Sequence, residues 1–137
     1  MPWTFEQSTG KMFDPGGAVL AIGYSGGDDG KNNPAFEAEH DVGPIPQGVY
    51  LIGEPRDTVA HGPYALPLTP DAANQMFGRS DFLIHGDSIT APGSASEGCI
   101  IMPRFARERI WESGDRQLTV VATVADSTVV SDPDLGI

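Results

Sequence analysis

The chain has little cysteine, little positive charge and no long apolar run, and each shortage excludes a class of protein. A single cysteine among 137 residues excludes an internal disulfide and leaves no cysteine pair for a zinc site. Eight Lys and Arg against 19 Asp and Glu give a net charge of −11, which disfavours nucleic acid and anionic membrane surfaces as partners. No apolar run reaches membrane-spanning length, so we expect no membrane span.

The N-terminus also lacks the features of a secretory leader. Met1-Pro2-Trp3-Thr4-Phe5-Glu6 has neither a basic segment nor an apolar segment. We therefore expect the protein to be made in the cytoplasm without a signal peptide. If its substrate lies outside the cytoplasm, another export route must carry it there.

Short apolar runs separated by many glycines and prolines predict a mainly β domain with one or two short helices. Pro103 and Gly114 are placed to begin and end one helix, and a second short helix is predicted within residues 69–78. Residues 1–124 are expected to form a single domain. Residues 125–137 are acidic and rich in small residues, and we expect a flexible tail there.

Cys99 and His85 are the candidate catalytic residues. A polar, glycine-containing stretch delivers Cys99 to the start of an apolar run, and His85-Gly86 ends the strand-like run before it. A thiolate nucleophile needs a nearby base, and glycines let a carbonyl substrate approach the backbone. The alternatives are a cysteine buried in the core and a structural histidine at a strand end.

The order of these residues limits the kind of enzyme. All three histidines, His40, His61 and His85, precede Cys99, whereas papain-like peptidases place the histidine after the cysteine. A chymotrypsin-like cysteine protease allows the observed order, but the chain is short for its double barrel. His40 and His61 lie in polar segments and are predicted to be surface residues.

The motifs resemble those of L,D-transpeptidases of the YkuD type. His85-Gly86 followed by Ser96-Glu97-Gly98-Cys99 is similar to their His-Gly … Ser-His-Gly-Cys signature. The run Gly43-Pro44-Ile45-Pro46-Gln47-Gly48-Val49-Tyr50 resembles an element of a divergent branch that contains type VI secretion effectors, toxins delivered into rival bacteria. Further similarities to that branch are Tyr24-Ser25-Gly26, Lys31-Asn32-Asn33-Pro34 and Gly78-Arg79-Ser80.

This resemblance extends from Trp3 to Val124 and implies an L,D-transpeptidase-like β-sandwich or barrel. Two positions depart from the housekeeping enzymes: Glu97 replaces a second histidine, and Ile101 replaces an arginine. A substrate-binding arginine must then come from elsewhere. Arg107 and Arg104, on the predicted helix, are the candidates, and the alternative is that both lie on a solvent-exposed helix face.

The resemblance also implies a role for each site residue. His85, oriented by the Gly86 carbonyl, would deprotonate Cys99, which attacks a diaminopimelate carbonyl of a peptidoglycan stem peptide. The amides of Gly98 and Cys99 would form the oxyanion hole. Release of D-Ala leaves a thioester, which water hydrolyses or a D-amino acid or second stem peptide captures. The substrate-binding candidates are Tyr24, Ser25, Ser96 and Arg107, and no metal or cofactor is expected.

By the same resemblance the protein is secreted, acts in the periplasm of target bacteria and has a periplasmic immunity protein as partner. Three alternatives remain open. One is a housekeeping L,D-transpeptidase, and another is a non-catalytic module of the same fold that binds stem peptides. The third is an unrelated β domain with Cys99 in its core.

Overall fold

The computed structural model describes residues 2–124, so the predicted tail at 125–137 lies outside the described part of the chain. The described residues form ten strands and one α-helix, which confirms the mainly β prediction. Their bounds are β1 (Trp3–Glu6), β2 (Lys11–Phe13), β3 (Val19–Ile22), β4 (Tyr24–Ser25), β5 (Gly48–Ile52), β6 (Arg56–Thr58), β7 (Gly62–Pro70), β8 (Phe82–His85), β9 (Ile100–Ile101), α1 (Arg104–Glu112) and β10 (Gln117–Val121).

Nine strands form one continuous sheet in the order β3-β2-β1-β10-β5-β7-β8-β9-β4, and β6 pairs with β7 outside that path. The pairs β1–β10 and β8–β9 are parallel, and the other pairs are antiparallel. The two edge strands, β3 and β4, are separated only by Gly23. The sheet therefore curls until its edges meet, as in a barrel.

Gly23 lies where these edges meet. Its amide donates to Gly10 O at 2.8 Å, which links it to the residue just before β2. A Cβ at Gly23 would lie 1.7 Å from Ile101 O in β9. Only glycine allows the backbones to approach this closely, so this residue permits the sheet to close.

Alternating side chains of the strands fill the interior. The core contains Trp3 and Phe5 of β1, Tyr50 of β5 and Ile84 of β8, all 2% exposed or less. Helix α1 covers one side of this core and contributes two side chains with no exposed area, Ala106 and Ile110.

Helix α1 ends as predicted, with Gly114 at φ +81° directly after the C-cap Ser113. Its start is shifted, because Pro103 is the N-cap and the helix begins at Arg104. The second predicted helix, within residues 69–78, is wrong. Strand β7 continues to Pro70 and turns follow it, because Pro70 pairs with Tyr50 across the sheet.

Candidate active site

Cys99 and His85 lie on two neighbouring parallel strands: His85 is the last residue of β8, and Cys99 directly precedes β9. Ile84 pairs with Ile100, and His85 pairs with Ile101. Since side chains alternate along a strand, Ile84 and Ile100 point into the core while His85 and Cys99 take the opposite face. Both residues line one open cleft of about 1310 Å³.

The imidazole of His85 is held in one tautomer. Its Nδ1 lies 2.8 Å from Gly86 O, and a carbonyl can only accept, so Nδ1 carries the proton. Nε2 is then the basic nitrogen of the neutral ring, and it is buried without a hydrogen-bond partner. The predicted contact between the Gly86 carbonyl and His85 is therefore present, and it leaves Nε2 able to accept a proton.

The surroundings keep both groups neutral at rest. Burial lowers the pKa of His85 from its usual 6.5, and nearby His61 and Arg107 lower it further, against the Gly86 hydrogen bond and Asp87. Burial likewise raises the pKa of the Cys99 thiol, and Glu97 and Asp81 add to this. These effects favour a neutral thiol that loses its proton to His85 during attack, rather than a preformed ion pair.

Two groups lower the pKa of Cys99 and would stabilise its thiolate. Leu83 N donates to Cys99 Sγ at 3.3 Å. The positive charge of Arg79 also lowers the pKa of Cys99, although burial outweighs both contributions. The Cys99 sulfur thus accepts one backbone hydrogen bond and has one cation nearby.

Residues 94–98, here called the cysteine loop, are fixed by two buried hydroxyl groups. Ser96 Oγ donates to Cys99 O at 2.6 Å and accepts from Gly26 N at 2.8 Å and Gly98 N at 3.0 Å. Ser25 Oγ donates to Gly98 O at 2.8 Å. Both serines are buried and lie outside the cleft lining, so they position the loop and do not face a substrate.

These contacts also bear on the predicted oxyanion hole. The Gly98 amide donates to Ser96 Oγ, so that predicted donor is already satisfied. The placement does not support Gly98 as an oxyanion donor, and the prediction rests on the Cys99 amide. Gly98 instead serves a steric need: it has φ +143°, and a Cβ there would lie 2.5 Å from Arg79 Nη2.

Arg79 is a residue whose importance the sequence reasoning missed. It is 7% exposed, and its guanidinium donates to four carbonyls at 2.6–3.1 Å, those of Glu37, Gly43, Pro44 and Glu97. It thereby ties the cysteine loop to the segment around the Gly-Pro-Ile-Pro turn. The signal was the Gly78-Arg79-Ser80 motif, which carried the resemblance without an assigned role.

Tyr24 lines the cleft as predicted, and it forms a hydrogen-bonded pair with Asp87. Its hydroxyl donates to Asp87 Oδ1 at 2.6 Å and accepts from Ala95 N at 2.9 Å, and Lys31 Nζ lies 4.6 Å from its ring. Burial and the Asp87 bond raise the pKa of Tyr24 to about 12. The phenol is therefore neutral, and Asp87 is a second organising residue that the sequence reasoning left without a role.

Arg107 also lines the cleft, next to Gly86. It is 6% exposed, and its Nη1 donates to Pro63 O at 2.8 Å and Tyr64 O at 3.0 Å. The solvent-exposed reading is therefore wrong for Arg107. It holds for Arg104, which is largely exposed and pairs with Glu108 at 2.9 Å.

The other two histidines are exposed, as predicted, but one of them, His61, lines the cleft. His40 Nε2 contacts Phe77 O at 2.8 Å. The ring centroid of His61 lies 4.5 Å from that of His85, and His61 lines the cleft. The sequence did not show this neighbour, because 24 positions separate the two histidines.

The cleft differs in charge along its length. Asp41, Asp81 and Glu97 line it and also line a small depression beside Arg79. Arg104, Arg107 and His61 are cationic or basic residues of the same cleft. Within residues 2–124, no cluster of His, Cys, Asp and Glu is arranged to hold a metal ion, and no helix is long and apolar enough to span a membrane.

A family model described as the Tlde1 domain matches residues 20–125, which is more than half of the chain and includes His85 and Cys99. No curated protein and no solved structure matches the chain significantly.

Proposed function

Because the chain belongs to the Tlde1 domain family, a family of type VI secretion effectors, we propose that it is an antibacterial enzyme acting on peptidoglycan. The proposed activity is that of a cysteine L,D-carboxypeptidase and L,D-transpeptidase on tetrapeptide stems. The observation that supports it most is the placement of Cys99 and His85 in one cleft, with the basic Nε2 of His85 unpartnered.

The proposed reaction begins with proton transfer. His85 Nε2 accepts the Cys99 proton as Sγ attacks the carbonyl that joins diaminopimelate to the terminal D-Ala. The Cys99 amide donates a hydrogen bond to the tetrahedral oxyanion. The carbon–nitrogen bond then breaks, His85 returns the proton to the leaving amine, and a thioester with Cys99 remains.

The thioester is resolved by one of three acceptors. Water, deprotonated by His85, releases the tripeptide stem and regenerates the thiol. A D-amino acid amine gives an exchanged tetrapeptide instead, and the amine of a second stem peptide gives a crosslink. The neutral resting state of His85 suits each outcome, because the ring must accept a proton in both half-reactions.

The stem peptide carries carboxylates, and one cleft residue is suited to bind them. Arg107 uses Nε and Nη1 on backbone carbonyls, while no hydrogen bond of Nη2 to the described residues is found. Tyr24 lines the same cleft, but its hydroxyl donates to Asp87, so we propose an apolar contact between Tyr24 and the substrate. We propose that Arg107 Nη2 contacts a substrate carboxylate beside Gly86, in place of the arginine missing at Ile101.

The direct test is digestion of purified muropeptides with mass detection of the products. The expected result is loss of D-Ala from tetrapeptides, a thioester on Cys99 and incorporation of added D-amino acids. His40→Ala is the matched control for His85→Ala, since it removes an exposed histidine outside the cleft. Tetrapeptides that remain intact with the wild-type protein would refute the peptidoglycan activity.

A cellular test addresses the place of action. We propose action in the periplasm of the target cell, where an immunity protein binds over the cleft; with a net charge of −11, basic residues are expected at its contact rim. Expression in the cytoplasm should cause little toxicity, whereas a fused signal peptide should cause swelling or lysis. Equal toxicity from both compartments, unchanged by Cys99→Ala, would point to a cytoplasmic target.

A further inference from the structure

His61 is an exposed residue whose ring packs against that of the buried His85. Its ring centroid lies 4.5 Å from that of His85, with the planes tilted by 37°. His85 is only 2% exposed although it lines the cleft, and its Nε2 is fully enclosed without a partner. The side chain of His61, from a distant part of the sequence, therefore helps to bury the His85 ring.

The turn that carries His61 (residues 59–61) is built to hold this position. The β6–β7 hairpin has a register shift between Arg56 and Thr58, and Tyr64 adopts a left-handed φ of +57°. Such bulges redirect side chains, and backbone strain is typical of functional sites. Within the turn, His61 N donates to Thr58 Oγ1 at 2.7 Å.

Arg107 fastens the base of this hairpin to the His85 segment. Its Nη1 binds the carbonyls of Pro63 and Tyr64, and its Nη2 lies against Gly86, 2.9 Å from where a Cβ would be. Gly86 is also the residue whose carbonyl holds His85 Nδ1. One buried side chain therefore contacts both the hairpin that carries His61 and the residue that holds the His85 ring.

We propose that His61 is a positioning residue of the site: packed on the imidazole of His85, it holds that ring in place and limits the access of water to it. This role rests on the proposed function only in its effect on turnover. The packing of the two rings, and its effect on His85, can be measured without a substrate.

The charges around His85 make the protonation state of His61 matter. The titratable and charged groups that act on the ring come from three parts of the chain: His61 on the turn, Arg107 on α1 and Asp87 after β8. Cys99 lines the same cleft. A positive His61 opposes the proton that His85 must accept from Cys99.

The test is a proton NMR titration of the His85 ring in four full-length proteins: wild type, His61→Ala, His61→Phe and the control Val59→Ala. Val59 is fully exposed in the same turn. His61→Ala should raise the pKa of His85, because water reaches the ring and a like charge is lost. His61→Phe should raise it less, because the ring packing is retained.

Turnover of muropeptides supplies a second readout. We expect His61→Ala to lower kcat/KM by about 10- to 100-fold, the range that misplacement of a catalytic group causes. The loss should be greater at about pH 6 than at about pH 8, because the acid limb shifts upward with the pKa of His85. His61→Phe should recover part of the rate, and Val59→Ala should match the wild type.

Two results would overturn the proposal. One is an unchanged His85 titration in His61→Ala, and the other is a rate loss that is uniform across pH and equal in the Ala and Phe variants. If the wild-type protein turns over no muropeptide, the proposed function fails, while the titration still decides the role of His61.

Discussion

The two sides of the cleft are held in different ways. On the Cys99 side, three buried side chains bind the backbone of the cysteine loop and of the segments beside it. They are Ser25, Ser96 and Arg79. On the His85 side, an exposed turn carries His61 against the imidazole, and Arg107 binds the carbonyls of Pro63 and Tyr64 in the same hairpin. The candidate nucleophile therefore has a fixed backbone, whereas the candidate base is covered by a side chain that reaches solvent.

This difference shows how the polar residues of one cleft divide into two kinds. Groups whose hydrogen bonds are all used internally set geometry, and their loss affects folding as well as activity. Groups with an unused donor or acceptor, such as His85 Nε2, remain available for chemistry. The following predictions test that division, from the largest expected effect to the smallest.

Cys99→Ala should abolish activity and leave the fold intact. The thiol is the proposed nucleophile, and the described backbone contacts of its sulfur are the 3.3 Å bond from Leu83 N and a 3.9 Å contact with Asp81 O. Loss of stability should be about 1 kcal/mol or less, as for small changes outside a packed core. Muropeptide digestion and urea denaturation measure the two effects. Wild-type cleavage of tetrapeptides by this variant would exclude the thioester mechanism.

His85→Ala should lower the rate by roughly 100- to 10,000-fold, the usual contribution of a general base. In the proposed mechanism the neutral ring is the active form, and burial lowers the pKa of His85 from its usual 6.5. The rate should therefore hold until the pH falls below about 6.5 and then decline. A pH–rate profile of kcat/KM checks both points. Full activity with an unchanged profile would give His85 a structural role.

Arg79→Met should break the fixed side of the cleft. It removes the donor to four carbonyls and leaves buried backbone acceptors without partners. The expected loss is about 3 kcal/mol of unfolding free energy, with loss of activity. Urea denaturation gives the free energy, and Arg104→Met, on the exposed face of α1, is the matched control. Similar stability losses for both variants would contradict the comparison of the two sides.

Ser96→Ala should have a smaller effect of the same kind. Its hydroxyl joins Gly26, Gly98 and Cys99, so its removal leaves buried amides unsatisfied at a cost of roughly 1–3 kcal/mol. Ser94→Ala, in the exposed part of the same loop, should cost less. Thermal melting of both variants measures the difference. If Ser96→Ala weakens substrate binding without any change in stability, Ser96 is a substrate contact after all.

The sequence predicted the parts of the site that depend on local order. The strand-end position of His85-Gly86 and the glycine-rich approach to Cys99 are short-range patterns, and the structure places both residues in one cleft. The mainly β fold and helix α1 followed from the spacing of glycine, proline and apolar residues. The spurious helix within residues 69–78 came from a local start signal that strand pairing at Pro70 overrides.

The missed features depend on contacts between distant parts of the chain. Arg79 reaches carbonyls at positions 37, 43 and 44, and His61 meets His85 only because a bulged hairpin turns over the cleft. The hydroxyls of Ser25 and Ser96 could have faced a ligand or the backbone, and the folded loop decides between these. Sequence spacing therefore identified the candidate reacting residues, Cys99 and His85, better than it identified the residues that position them.

The position of β10 determines when the sheet can close during folding. Although last along the described chain, β10 lies between β1 and β5 and pairs Trp3 with Leu118. Until residue 121 is available, β1 and β5 each have an unpaired edge. Pairing across such a long sequence separation is slow, so closure is expected late in folding. An emerging or truncated chain can therefore pair β8 with β9, beside Cys99 and His85, while the rest of the sheet is still open.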